Sequence, residues 1–284
     1  MLTALPRVLR TEVRFYNEVA SSTPVLRPRL LAGKSKFGRG SMLVLSDVTE
    51  GGAHPGSPCD NLTVPQAFSV IEEIARLHSS FWNKDGLDWQ YRWLARPVRR
   101  LEDRLGAVLA VPLMRRGLRR ADTAISRRLH GPALAYARRR SAAMHFLSQG
   151  PRTLIHHDLH PGNLFWHHSR PGFLDWQLVR IGEGIGDVAY FLATGLSPNL
   201  RRSHELEMLA RYHEVLAENG IHGLDIDHQL QRYRAHLVYA FEAMVVTLAV
   251  GGMMDTGANL ELVRRTAVAV EDHDSFAIIK KALH

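Results

Sequence analysis

The sequence predicts an α+β protein in which a mostly helical body surrounds a few short strands and one polar loop. Three observations predict it. Long stretches before and after the centre of the chain carry apolar residues at three- and four-residue spacing, the mark of amphipathic helices. Strand-like runs are short and occur near residues 29–46 and 153–175. Between the runs of the second region, residues 153–177 (TLIHHDLHPGNLFWHHSRPGFLDWQ) hold two aspartates, an asparagine and five histidines.

Residues 5–20 predict a helix from the recurrence of Leu5, Val8, Leu9, Val13, Tyr16 and Val19, stopped by Pro24 and Pro28. Extended segments follow at 29–32 and 41–46, with GKSKFGRG as the hairpin loop between them. Residues 51–61 are rich in Gly, Pro, Asp and Ser and read as a linker that divides a small first domain (1–50) from a large second one (62–284). A helix is expected over 64–82, with Thr63 as its N-cap. Residues 86–150 predict several helices broken near Pro97, Pro112, Gly117 and Gly131-Pro132. Strands are expected at 153–156, 164–167 and 172–175, and helices at 186–196, 203–219, 226–250 and 258–281. The run Gly182, Gly184, Gly186 reads as a flexible loop leading to Asp187.

Composition narrows the class. At 284 residues the chain is long enough for two lobes, and its 45% hydrophobic and 23% charged content is ordinary for a globular protein. The longest uncharged apolar stretch, 243–254, suits a buried helix rather than a membrane span, and the N-terminus lacks the pattern of a signal peptide. A single cysteine, Cys59, excludes an internal disulfide framework and fits a reducing cytoplasm. The net charge of +8 is uneven: residues 92–140 carry 14 arginines against Glu102, Asp103 and Asp122. Solvated helix faces account for this most simply, with an anionic substrate or surface as the functional reading. Nucleic acid is not expected, because the run contains no binding motif. Oligomeric state leaves no trace in the sequence.

The chemistry concentrates in residues 156–163, HHDLHPGN. Apolar residues lead in and out, so the polar ones sit on a loop held by buried strands. Pro161-Gly162 forces a turn that brings Asn163 back beside Asp158. Asp175 returns to the same end after the hairpin at 168–172. The spacing H-x-D-x-x-x-x-N followed by an Asp beyond a hairpin is the arrangement used for phosphoryl transfer. In it the loop Asp accepts a hydroxyl proton, while the Asn and the later Asp hold Mg²⁺ on nucleotide phosphates. The five histidines offer a rival reading, a zinc-dependent hydrolase, but that leaves Asn163 unexplained.

These residues make the segment resemble the aminoglycoside phosphotransferase and choline kinase superfamily, whose loop typically reads HGDLHPGN followed by a strand and DWE or DFQ. Gln177 after Asp175-Trp176, and GDVAYFLATGL at 186–196, lean toward its ecdysteroid-kinase-like branch. Further likenesses are EVRFY (12–16) to the first helix of the small lobe, SMLVLSDV (41–48) to the hinge strand, and ARLHSSFW (75–82) to the first helix of the large lobe. The resemblance implies a protein-kinase-like two-lobe fold with a mostly helical C-terminal lobe, and phosphorylation of a small-molecule hydroxyl with ATP and Mg²⁺. It implies Asp158 as catalytic base, Asn163 and Asp175 as metal ligands, and His156 as the structural histidine of the loop. Asp187 would brace the loop, and the backbone of Ser46, Asp47 and Val48 would meet adenine. Glu12 would be the partner of a strand lysine. The Gly-rich loop and that lysine should precede Glu12, where only 11 residues stand, with neither a glycine nor a lysine among them. A truncated N-terminal lobe is therefore expected, either because the true start lies upstream or because the strands are lost. In the second case a catalytically silent binding protein becomes the alternative.

Several features read as bland. Gly33-Lys34-Ser35 lacks the upstream glycine and following helix of a P-loop. Lys34, Lys36 or Arg39 could substitute for the missing lysine. His78 reads as a buried, hydrogen-bonded histidine. His167 and His168 read as surface residues near a turn. Trp82, Trp89, Tyr91 and Trp93 read as core rather than as a stacking platform.

Overall fold

The computed structural model describes residues 8–36, 40–83, 91–95 and 97–283. The first helix, α1 (Val8–Glu18), buries Val13, Phe15 and Tyr16. The stripe expected for it continues through Leu5, which lies outside the described residues. Strands β1 (Leu30–Lys36) and β2 (Gly40–Leu45) form an antiparallel pair with Ala32 opposite Val44 and Lys34 opposite Met42. Strand β1 thus takes in Gly33 to Lys36, which the sequence assigned to the loop. Lys34 and Lys36 lie exposed along it, while Arg39 lies outside the described residues.

Residues 51–61 do more than link. His54–Pro55 forms a short strand, β3, against β5 (Leu164–His167), which also pairs with β6 (Arg170–Phe173). The buried guanidinium of Arg265 donates to the carbonyls of Cys59 and Asp60 and to the Asn61 side chain, fixing the segment to the helical body. Backbone carbonyls with no ladder partner need such donors. Helix α2 (Val64–Phe81) begins with the capping box expected of Thr63 and Gln66.

Helices α3 (Arg92–Ala95), α4 (Pro97–Ala121), α5 (Arg127–Arg138) and α6 (Arg140–Phe146) follow. The expected breaks at Pro112, Gly117 and Gly131-Pro132 do not occur; α4 and α5 run through them. Pro112 removes one ladder hydrogen bond but stands on the exposed side of a 25-residue helix. Gly117 faces the Val245 carbonyl so closely that a methyl group would stand 2.4 Å from its oxygen. It is a point of close helix approach, not a terminator.

Strand β4 (Arg152–Ile155) pairs with β7 (Arg180–Glu183), a strand the glycine run concealed. Gly182 is not flexible there: a Cβ would meet Ile155 Cδ1 at 2.4 Å. Helices α7 (Ile185–Gly195), α8 (Pro198–Glu218) and α9 (Ile226–Val250) complete the body with α10 (Thr256–Asp272) and α11 (Ser275–Ala282). The single helix expected at 258–281 is these last two, divided at Asp274, whose φ is +47°. Helix α9 is long and apolar enough to cross a bilayer, but 67% of its most apolar window is buried within the fold. It packs against α4, α7, α10 and α11 and buries Tyr233, Leu237, Phe241 and Val245.

Candidate active site

The loop between β4 and β5 is held from three sides. Its backbone leaves β4 at Ile155 and turns through His157, whose φ of +72° is uncommon for a residue with a side chain. Asp187, in the first turn of α7, holds that turn. Its fully buried carboxylate accepts from the His156 amide at 2.7 Å and the His157 amide at 2.8 Å. Behind it stands His78 of α2, with Nε2 3.3 Å from the Asp187 carboxylate and Nδ1 2.9 Å from the Tyr212 hydroxyl. His78 is wholly buried and hydrogen-bonded, as its place in an apolar helix face suggested.

The second hold is His156. Its Nε2 donates to the Leu174 carbonyl at 2.8 Å, tying the loop to the residue before Asp175. Burial lowers its pKa against the opposing pull of Asp187 and Asp158, so the ring is neutral and Nε2 carries the proton. The ring lies against Trp176, which stacks at 4.1 Å on Phe15 of α1.

The third hold is the turn Pro161–Asn163. The His160 ring caps it by accepting from the Gly162 amide at 3.1 Å. The Asn163 side-chain amide donates to the Asp158 carbonyl at 2.8 Å, and the Asn163 carbonyl accepts from the Leu174 amide at 2.8 Å. Asn163 thus joins the residue carrying one carboxylate to the neighbour of the other. With its NH₂ committed, its amide oxygen is the donor left for a cation.

Asp175 adopts φ +56° and caps the short 3₁₀ turn Trp176–Leu178. Burial, then the charges of Glu12 and Asp158, pushes its pKa up to about 7. Glu12 accepts from the Trp176 amide at 3.1 Å, and burial raises its pKa too. Asp175 thus feels the charges of both Glu12 and Asp158, and among the described residues no lysine or arginine forms an ion pair with any of the three. An amide oxygen and carboxylate oxygens with a deficit of positive charge are the donor set that suits a hard divalent cation. Among the described residues no group of three or more His, Cys, Asp or Glu side chains is arranged to hold a metal. His167 and His168 lie exposed at the hairpin turn.

Ser46, Asp47 and Val48 follow β2. The Ser46 amide donates to the Arg29 carbonyl at 2.8 Å and its hydroxyl accepts from the Arg29 amide at 2.9 Å. The Asp47 carboxylate caps Thr49 at 2.8 Å, and the Val48 carbonyl accepts from Gly51 and Ala53. Ser46 is thus tied to the residue before β1, and Asp47 and Val48 are held by their own turn.

Sequence reasoning missed two tyrosines. The Tyr190 hydroxyl donates to Asp158 Oδ1 at 2.6 Å, and Tyr239 stacks on His157 at 4.2 Å. Helical spacing could have flagged the first, since Tyr190 follows Asp187 by three residues and shares its face. Nothing local marks Tyr239, which arrives from α9.

Solved structures resemble the chain over nearly its whole length. A choline/ethanolamine kinase family protein from Mesorhizobium loti matches 96% of this chain and 84% of its own, with a TM-score of 0.51 at 16% identity. An ethanolamine kinase from Plasmodium vivax matches 94% of this chain and 72% of its own, with a TM-score of 0.50 at 9% identity. At such identities the likeness shows the fold alone: a kinase-like phosphotransferase fold with a small sheet-containing N-terminal lobe and a mostly helical C-terminal region. No curated protein matches the sequence. A sequence profile of the phosphotransferase enzyme family matches residues 3–237, most of the chain, and the chain belongs to that family.

Proposed function

We propose that this chain transfers the γ-phosphoryl group of ATP to a hydroxyl of a small molecule, with Mg²⁺. The observation that carries the proposal is the linkage of Asp158, Asn163 and the residue before Asp175 through the hydrogen bonds from Asn163 Nδ2 to the Asp158 carbonyl and from the Leu174 amide to the Asn163 carbonyl. Asp158 accepts the acceptor's hydroxyl proton. The freed oxygen bonds to the γ-phosphorus as the bond to the bridging oxygen breaks, and ADP leaves. The oxygens of Asn163 and Asp175 would hold Mg²⁺, which when bound neutralises phosphate charge. His156 and Asp187 hold the loop and do not touch the reacting atoms. The backbone of Ser46, Asp47 and Val48 receives adenine at the edge of the small lobe (1–50), across from the helical lobe (62–284). Glu12 stands beside Asp175, and Gln177 supports placement in the ecdysteroid-kinase-like branch.

Calorimetry tests this reading. Wild type should bind Mg·ATP, and Asp175→Ala should weaken binding by about tenfold or more, or roughly 1.4 kcal/mol. No binding by wild type, or equal binding by the variant, sinks it. A second reading, a catalytically silent nucleotide-binding protein, is favoured by one observation: among the described residues no cation pairs with Glu12. Binding of Mg·ATP without phosphoryl transfer to any acceptor, water included, would support that reading instead.

A further inference from the structure

Helix α7 meets the catalytic loop with one face. Asp187 takes the amides of His156 and His157. Thr194, two turns on, stands with its hydroxyl 3.4 Å from the Leu159 carbonyl while bonding the Tyr190 carbonyl at 2.8 Å. Between them Tyr190, only 1% exposed, sends its hydroxyl to Asp158 Oδ1 at 2.6 Å. That distance is in the range of a short O–H···O⁻ hydrogen bond. The ring cannot wander: it is buried on α7 and lies 5.9 Å from Tyr239, which itself covers His157.

We infer that Tyr190 is a positioning residue for Asp158: its phenol binds one carboxylate oxygen and so leaves the other aimed at the acceptor hydroxyl. The inference rests on the phosphotransferase reading above. A general base works only within hydrogen-bond reach of the proton it takes, so the carboxylate rotamer matters as much as the presence of the carboxylate. Asp158 is only partly buried and, among the described residues, makes no ion pair that would set that rotamer. The backbone of the loop is fixed by Asp187, but backbone bonds do not fix a side-chain torsion. The Tyr190 hydroxyl does, from a helix that already holds the loop on both sides of Asp158. One fold element therefore sets both the position of the base and its direction.

The test needs no knowledge of the natural acceptor, because water can serve as one. Phosphate release from Mg·ATP is measured for wild type, Tyr190→Phe, Asp158→Asn and the double variant, alongside thermal melts and Mg·ATP calorimetry. Phe keeps the ring and removes only the hydroxyl. Tyr190→Phe should lower kcat by about 10- to 100-fold, the rate equivalent of a hydrogen bond to a charged group. The KM for ATP should stay unchanged, because the nucleotide side is untouched. In the Asp158→Asn background the same substitution should lower kcat no further, since the group it positions is already gone. A Tyr190→Phe kcat equal to wild type overturns the inference, as does an equal loss in both backgrounds, which would mark Tyr190 as a general structural residue. Either result leaves the phosphotransferase reading standing. A wild type that binds no Mg·ATP, or binds it and releases no phosphate, overturns that reading and this inference with it.

Discussion

Asp187→Asn should unmake the loop while leaving its shape almost unchanged in volume. The Asp187 carboxylate is fully buried and accepts two backbone amides, at 2.7 and 2.8 Å, with His78 Nε2 behind it at 3.3 Å. An amide has one acceptor oxygen, so Asn satisfies one backbone N–H and turns its own NH₂ toward the other. One charge-assisted hydrogen bond, of about 1.5–3 kcal/mol, is lost, and a buried donor is left facing a donor, which costs roughly another 1–3 kcal/mol. The sum is about 2.5–6 kcal/mol. For a chain of this size that lowers the melting temperature by roughly 10 °C, since each kcal/mol corresponds to about 2–4 °C. The function should suffer as well. His157 sits at φ +72°, a conformation that costs on the order of 1 kcal/mol and persists only while its amide is held. With that restraint gone the chain relaxes at the residue before Asp158. Thermal melts and phosphate release from Mg·ATP read the two effects. A variant with the wild-type melting temperature and wild-type kcat would refute the view that these two hydrogen bonds fix the loop.

Two further predictions concern the body that carries the site. Glu183, on β7, is buried and bonded to Arg232 and to His236 Nε2 at 3.2 Å. Burial alone would raise its pKa, but hydrogen bonds from Arg232 and His236 outweigh that and hold it at about 2 against an ordinary 4.5. Its contribution, about 3 kcal/mol, is full above pH 4.5 and is lost as the pH falls from there through about 2. Glu183→Gln should cost about 3–5 kcal/mol at pH 7, by leaving Arg232 unpaired, and should flatten the acid limb of urea stability curves. An acid limb as steep as that of wild type would refute it. Gly117→Ala tests the crossing of α4 and α9. On helix propensity alone it should stabilise by about 1 kcal/mol. The methyl group would stand 2.4 Å from the Val245 carbonyl oxygen, so overpacking of about 1–3 kcal/mol should win. A higher urea midpoint for the variant would show that the helices can separate freely.

Much of the fold was legible because helices and short strands leave local marks. Helix α9 was read at the bounds it has, Ile226–Val250, since Asp225 caps it and Gly251 ends it. The errors came where a residue's local preference and its tertiary role conflict. Gly117 and Pro112 look like helix stops, yet packing against α9 and sheer length outweigh one missing hydrogen bond and one missing side chain. Gly182 looks like a loop residue, yet it belongs to a strand in which only hydrogen fits beside Ile155. Residues 54–55 look like linker because their pairing partner, β5, stands more than a hundred residues away. Propensity cannot register a contact whose other half is elsewhere in the chain.

The site divides the same way. Asp158, Asn163 and Asp175 fall within one short stretch, so their juxtaposition follows from one turn, written in Pro161-Gly162, and one hairpin, whose turn falls at His168-Ser169 with Pro171 and Gly172 already inside β6. The groups that aim them come from afar: Tyr190 lies 32 residues from Asp158, and His78 lies 109 from Asp187. A short motif therefore identifies which atoms could react but not whether they are held in a reactive arrangement. That second property resides in α7, whose Asp187, Tyr190 and Thr194 recur at three- and four-residue spacing and so share one face. In a helix so thoroughly buried, that stripe of polar groups among apolar ones is costly unless each finds a partner. The sequence thus did contain a pointer to Tyr190. A buried helix that keeps a carboxylate, a phenol and a hydroxyl on one side must face something polar, and the polar loop is what the fold brings there.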